Sequence, residues 1–161
     1  MVKKFPNINF LITSVSIFFI DFSTKYFLLH FYDLENKGKV FITPFMDFVL
    51  VYNPGISYGL FGGGGEIQRV VLIVLSLLII AYLIYWIRES NSNFISFGIC
   101  LIIGGALGNM IDRILYGKVI DFISLHVFDY YWYVFNIADI AIVSGGISVL
   151  IYSAKDSFSN S

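Results

Sequence analysis

Four stretches of the chain stay apolar over the ~20 residues that a helix needs to cross the hydrocarbon of a bilayer. Residues 10–32 read FLITSVSIFFIDFSTKYFLLHFY and residues 67–87 read IQRVVLIVLSLLIIAYLIYWI. Residues 94–115 read FISFGICLIIGGALGNMIDRIL and residues 134–153 read VFNIADIAIVSGGISVLIYS. The pattern predicts an all-α membrane protein of four transmembrane helices, a single domain over 1–161. The first connection, about 33–66, is long. Its segment VFITPFMDFVLVY (40–52) is rich in β-branched and aromatic residues and predicts short strands. NPGISYGLFGGGG (53–65) follows, full of turn formers. A sheet this apolar beside a bilayer is expected to lie in the interface.

Composition narrows the class. Of 161 residues, 58% are hydrophobic and 13% charged, and mean hydropathy is +0.82. Soluble domains run at about 45–50% and about 25%. A disordered chain, a fibre and an ordinary soluble enzyme are excluded. The net charge of −1 excludes nucleic-acid binding through bulk charge. A lone cysteine, Cys100, excludes an internal disulfide framework and a CxxC metal site. Lys3 and Lys4 before an apolar run fit a cleaved leader, but no A-x-A-like site follows, so the first span is expected to be retained. Four spans put both termini on one side. Lys3, Lys4, Arg88 and Lys155 are denser in the shorter segments, which favours termini inside. Tyr85 with Trp86, and the run Tyr130–Tyr133, are expected to anchor at the interfaces.

The polar residues inside the spans fall on one side. Asp21 and Lys25 lie in the middle and outer part of the first helix. Asn109, Asp112 and Arg113 lie at the end of the third, Asn136 and Asp139 at the start of the fourth, and Asp121 in the connection between them. Acids at membrane depth are costly unless paired or hydrated, and they mark functional sites. Asp21 and Lys25, four apart, share a helix face and can neutralise each other. Gly104 and Gly108 form a small-xxx-small pair for close helix approach. Asp112, beside Arg113, is read as an ionised structural group.

Asp139 has no cation within a helical turn, and Asp121 has only Lys118, three residues earlier. Two such carboxylates close together would share one proton and supply a base and an acid. On spacing alone, any of Asp21, Asp112, Asp121 and Asp139 qualifies. Asn53 and Gly55 fit either a plain turn or a substrate contact. A proton-coupled transporter would string acids through the whole depth, and the inner half of every helix lacks them. An assembly subunit would use the cluster only as glue between helices. His30 and His126 read as interfacial, and neither GxSxG nor HExxH is present.

Taken in order, DFSTK (21–25), NPGISYG (53–59), GGALGNMIDR (104–113), GKVIDF (117–122) and FNIAD (135–139) resemble the lipoprotein signal peptidases, the signal peptidase II family. Each motif alone is weak, but five in order are specific. The resemblance implies an intramembrane aspartyl endopeptidase of the bacterial inner membrane, with its active site toward the outer leaflet. It would cleave diacylglyceryl-modified prolipoproteins before the lipidated cysteine. It implies Asp121 and Asp139 as the catalytic pair. Asp21, Lys25, Asn53, Gly55, Asn109, Asp112, Arg113 and Asn136 would bind substrate or support the pair. It further implies an extracytoplasmic β-cradle and a mobile loop within 33–66, no metal or other cofactor, inhibition by globomycin-type peptides, and action as a monomer. Phe22 and Tyr58 depart from the residues usual in the family, Gln and Phe, and leave the shape of the substrate groove open.

Overall fold

The computed structural model describes residues 8–55, 65–90 and 92–159. Most of the expected loop over the site, 56–64, lies outside them. Four long helices carry the apolar spans: α1 (Ile8–His30), α3 (Glu66–Glu89), α4 (Asn93–Tyr116) and α5 (Ile137–Ser159). Each is long and apolar enough to cross a membrane. A one-turn helix, α2 (Leu34–Lys37), follows α1 and tucks Leu34 fully inside. The chain then makes strands β1 (Val40–Thr43) and β2 (Met46–Asn53). After α4 come β3 (Val119–Val127) and β4 (Tyr130–Tyr131). The four strands form one antiparallel sheet in the order β1-β2-β3-β4.

The ends of α4 show why these boundaries hold. Ser92 caps its start, accepting from Ile95 N at 3.3 Å. Gly117 ends it with φ +74°, a left-handed conformation suited to glycine, and its amide donates to Arg113 O. That stop turns the chain directly into β3. The sheet is therefore larger than the strands predicted within 40–52. It draws two strands from the connection after α4, where Asp121 was expected to lie in a loop. Inward and outward positions do not alternate cleanly along β3, because its first four residues are all buried. The fourth helix starts at Ile137 and not at 134. Phe135 bridges to Ile123, so this segment is held as an extended strand until α5 begins.

α4 is the central helix and packs on α1, α3 and α5. Glycines set how close it comes. A Cβ on Gly104 would lie 2.7 Å from Ser14 O of α1, and one on Gly105 would collide with Ala138 O of α5. At the other end, a Cβ on Gly98 would lie 2.9 Å from Gly145 O. One apolar core fills the space between α3, α4 and α5, around Leu83, Ile99, Ile103 and Val149. A second, of Leu28, Leu34 and Phe122, lies where α1 meets the sheet. Outward faces remain apolar, with Val15 and Phe19 on α1, Leu78 and Tyr82 on α3, and Leu150 on α5 exposed. This surface suits lipid, and the chain is a multi-pass membrane protein.

The glycine contacts give a paired prediction. Gly105→Ala drives a methyl into backbone that cannot swing aside, and should cost about 1–3 kcal/mol. Gly146→Ala meets nothing within 4 Å, so it should gain about 0.5–1 kcal/mol from helix propensity. Unfolding of both variants in the same detergent checks the difference, and equal stabilities would contradict the packing.

Candidate active site

The site forms where the C-terminal halves of α1 and α4, the start of α5 and the first residues of β3 meet. Asp121 is the third residue of β3, paired in register with Val51 of β2. Asp139 lies in the first turn of α5. Asn136, fully buried, joins them. Its Nδ2 donates to Asp121 Oδ1 at 2.6 Å and to Asn109 Oδ1 at 3.1 Å. Its backbone N donates to Asp139 Oδ2 at 3.2 Å, and its Oδ1 accepts from Asp139 N at 2.9 Å. This reciprocal pair, residues i and i+3 at a helix start, has the logic of a capping box. It explains how the FNIAD sequence folds locally and fixes where the Asp139 carboxylate points.

Each carboxylate accepts from a second donor, a side-chain amide. Asn109 Nδ2 donates to Asp139 Oδ1 at 2.7 Å, and Asn53 Nδ2 donates to Asp121 Oδ2 at 2.9 Å. Asn53 sits at the end of β2 and is itself oriented by its turn, since its Oδ1 accepts from Gly55 N at 2.8 Å. Gly55 has φ +103°, and a Cβ there would lie 2.7 Å from Leu72 Cδ1 and 3.5 Å from Arg113 Nη2. The turn therefore needs glycine, both for its backbone and for its approach to α3. Gln68, buried at the start of α3, donates to Pro54 O at 3.3 Å and ties down the same turn.

Beneath the pair lies a buried ionic cluster. Lys25 Nζ is 2.7 Å from Asp21 Oδ2 and 2.7 Å from Asp112 Oδ2, and it donates to Asn109 Oδ1 at 3.4 Å. Asp112 Oδ2 also accepts from Ile120 N at 3.1 Å, and Asp21 Oδ1 accepts from Ala138 N at 2.9 Å. The Asp21–Lys25 pair is the one that the four-residue spacing predicts. The expected partnership of Asp112 with Arg113 is corrected: Asp112 pairs with Lys25. Successive residues on a helix do not face each other. Arg113 instead reaches back along α4, where its Nη1 donates to Asn109 O at 2.9 Å. The structure thus brings together all ten residues singled out in the sequence.

Two open hollows flank the pair. One, of about 440 Å³, is lined by Asn53, Pro54, Asp121, Trp132 and Tyr133 among others. The other, of about 310 Å³, is lined by Trp132, Tyr133, Asp139 and Ile140 among others. Trp132 and Tyr133, 70% and 87% exposed, belong to both. The sequence marked them only as interface anchors, and it missed Gln68 altogether. A lone amide opening an apolar span was the available signal for Gln68. Asp47 was also missed. It is a buried acid in β2, paired with Lys39 at 2.7 Å, and its Oδ2 lies 3.2 Å from His126 Nε2. Among the described residues, no three His, Cys, Asp or Glu side chains form a group able to hold a metal ion.

Burial pushes the Asp121 carboxyl above its ordinary value, and the charge of Asp139 adds to that shift. The hydrogen bonds from Asn53 and Asn136, and the more distant charge of Lys25, pull it back in part. Two carboxylates from different elements are thus held at one place by fixed amide donors, each lining one of the two hollows.

Residues 13–155 match the family model described as signal peptidase (SPase) II. The chain is 43% identical over 144 residues to a lipoprotein signal peptidase of Rhodopseudomonas palustris (strain TIE-1), covering 87% of this chain and 88% of that one. It is 41% identical over 145 residues to a lipoprotein signal peptidase of Methylorubrum extorquens (strain PA1), covering 90% and 85%. A solved structure described as a bacterial membrane enzyme, by the in meso method at 1.9 Å resolution, superposes with a TM-score of 0.83 at 29% identity. That match covers 97% of this chain and 99% of the other.

The raised Asp121 carboxyl carries a signed pH dependence. The folded protein keeps this proton to higher pH than the unfolded chain does. The stability tied to the group is therefore full at low pH. It declines as pH rises from the ordinary value of 3.8 through the raised one. Melting measured across that window should lose more, or gain less, with rising pH in the parent than in Asp121→Asn. An unchanged slope in the variant would contradict it.

Proposed function

The chain belongs to the signal peptidase II family, and from that membership we propose that Asp121 and Asp139 are the acid–base pair with which it removes signal peptides from prolipoproteins. It is an aspartic endopeptidase of the membrane. The observation that carries the residue assignment is the bridge through Asn136, which binds both carboxylates from two different elements.

The pair holds one proton between its two carboxylates. One carboxylate accepts a proton from water as the water oxygen bonds to the scissile carbonyl carbon. The other gives its proton to the carbonyl oxygen. The tetrahedral adduct then collapses: the C–N bond breaks, the leaving amine takes a proton from the pair, and one adduct hydroxyl returns its proton to the pair as the carbonyl re-forms. Asn109 and Asn136 keep the carboxylates oriented for this exchange. Asn53, at the rim with Gly55, orients Asp121 and faces the substrate backbone.

The substrates are diacylglyceryl-modified prolipoproteins, cut just before the lipidated cysteine. Their acyl chains hold the cleavage site at membrane depth, where much of the binding is supplied by buried apolar surface. The apolar outer faces of the helices and the aromatic rim at Trp132 and Tyr133 support this. The chain resides in the bacterial cytoplasmic membrane with its termini in the cytoplasm, which puts the pair in the outer leaflet. It acts as a monomer, and globomycin-type peptides occupy the same groove.

Purified protein in lipid, given one prolipoprotein with and without its diacylglyceryl group, tests this reading. Only the modified form should be cut, and the product masses should place the cut before the modified cysteine. EDTA should leave the rate unchanged. Equal cleavage of both forms, or no cleavage by protein that melts normally, would contradict the reading.

A further inference from the structure

We propose that Lys25 sets the spacing of the catalytic pair, because it holds two buried carboxylates that each grip the backbone amide immediately before one catalytic aspartate. Asp112 Oδ2 accepts from Ile120 N, and the next residue is Asp121. Asp21 Oδ1 accepts from Ala138 N, and the next residue is Asp139. The Lys25 ammonium lies 2.7 Å from each of these two acids. A third arm runs through Asn109, whose Oδ1 accepts from Lys25 while its Nδ2 donates to Asp139. One cation on α1 is therefore an ion pair, a hydrogen bond and one backbone step away from each member of the pair. The inference rests on the assignment of Asp121 and Asp139 as that pair.

The arrangement exceeds what neutralising a buried charge requires. Asp21 alone offsets Lys25, and adding Asp112 buries a further negative charge. Both amides are places where a carboxylate is useful. Ala138 N is in the first turn of α5, where backbone donors have no partner within the helix. Ile120 N is at the entry of β3, just after the turn at Gly117. Room for the clamp is built in, since a Cβ on Gly108 would lie 2.6 Å from Asp21 Oδ2. Arg113, also at this end of α4, is bonded to the Asn109 carbonyl and leaves Lys25 to this task.

Lys25 is thus a positioning residue, and misplacing reacting groups by about 1 Å lowers turnover by about 100-fold. The test is Lys25→Met, assayed on lipidated prolipoprotein well below its melting point and normalised to folded protein. Turnover should fall about 10- to 100-fold. KM should stay within about two-fold, because the substrate's apolar contacts are untouched. The bell-shaped rate profile should narrow, since carboxylates farther apart no longer force their two proton losses apart. If Lys25→Met does not fold, the neutral triple variant Lys25→Met/Asp21→Asn/Asp112→Asn keeps both amide acceptors without the ionic clamp. It should show the same split. Folded variants with the parent turnover and profile would overturn the inference. Asp121→Asn and Asp139→Asn are run alongside. If they are inactive while the Lys25 variants match the parent, the clamp alone fails. If they remain active, the pair assignment fails and takes the clamp with it.

Discussion

The buried ammonium of Lys25 between the carboxylates of Asp21 and Asp112 is the interaction on which the rest of this structure depends. Lys25 is 2% exposed and Asp21 is fully buried, at a depth where an unpaired charge is not tolerated. Closing that cluster forces α1 and α4 together, and Asp21 then reaches α5 through the Ala138 amide. The helices come this close only because Gly104, Gly105 and Gly108 offer no side chain at the contacts. Asp112 ties the entry of β3 to the same point, so the sheet is docked on the helices by a charged anchor as well as by Phe122 and Leu34.

The consequence is a polar pocket whose walls come from four elements but whose position is fixed by few atoms. Apolar residues face outward on the same helices, so the molecule is lipid-facing around its girdle and hydrated at one end. Hydrolysis needs that combination. On the proposed reading, a substrate held by apolar chains stays in the bilayer, and the hollows beside Trp132 and Tyr133 are the way in for water. Preoriented amide donors on both carboxylates mean that little must reorganise when charge moves in the reaction.

Much of this was legible in the sequence because hydropathy and helical spacing are local properties. The four spans emerged within a few residues, and the Asp21–Lys25 pair followed from a spacing of four. The partnership of Asp112 was not legible, since Lys25 reaches it from another helix 87 residues away. The extent of the sheet was hidden for a related reason. β3 is buried along its first four residues, so it lacks the in–out alternation that marks a strand. The start of α5 was misplaced because Val134 and Phe135 are as apolar as the helix that follows, and only the bridge to Ile123 keeps them extended. Which two of four acids form the pair came from the resemblance, and no rule of periodicity supplied it.

On the proposed reading, Asp121 serves chemistry and not cohesion. The most direct test measures melting and cleavage side by side for the parent and Asp121→Asn. Losing a buried charge and one good hydrogen-bond acceptor have opposing effects on stability, the latter about 0.5–1.5 kcal/mol. The variant should stay within about 1 kcal/mol of the parent in stability and show no detectable cleavage of lipidated prolipoprotein. Cleavage at the parent rate, or a loss of activity that only tracks a loss of folded protein, would contradict it.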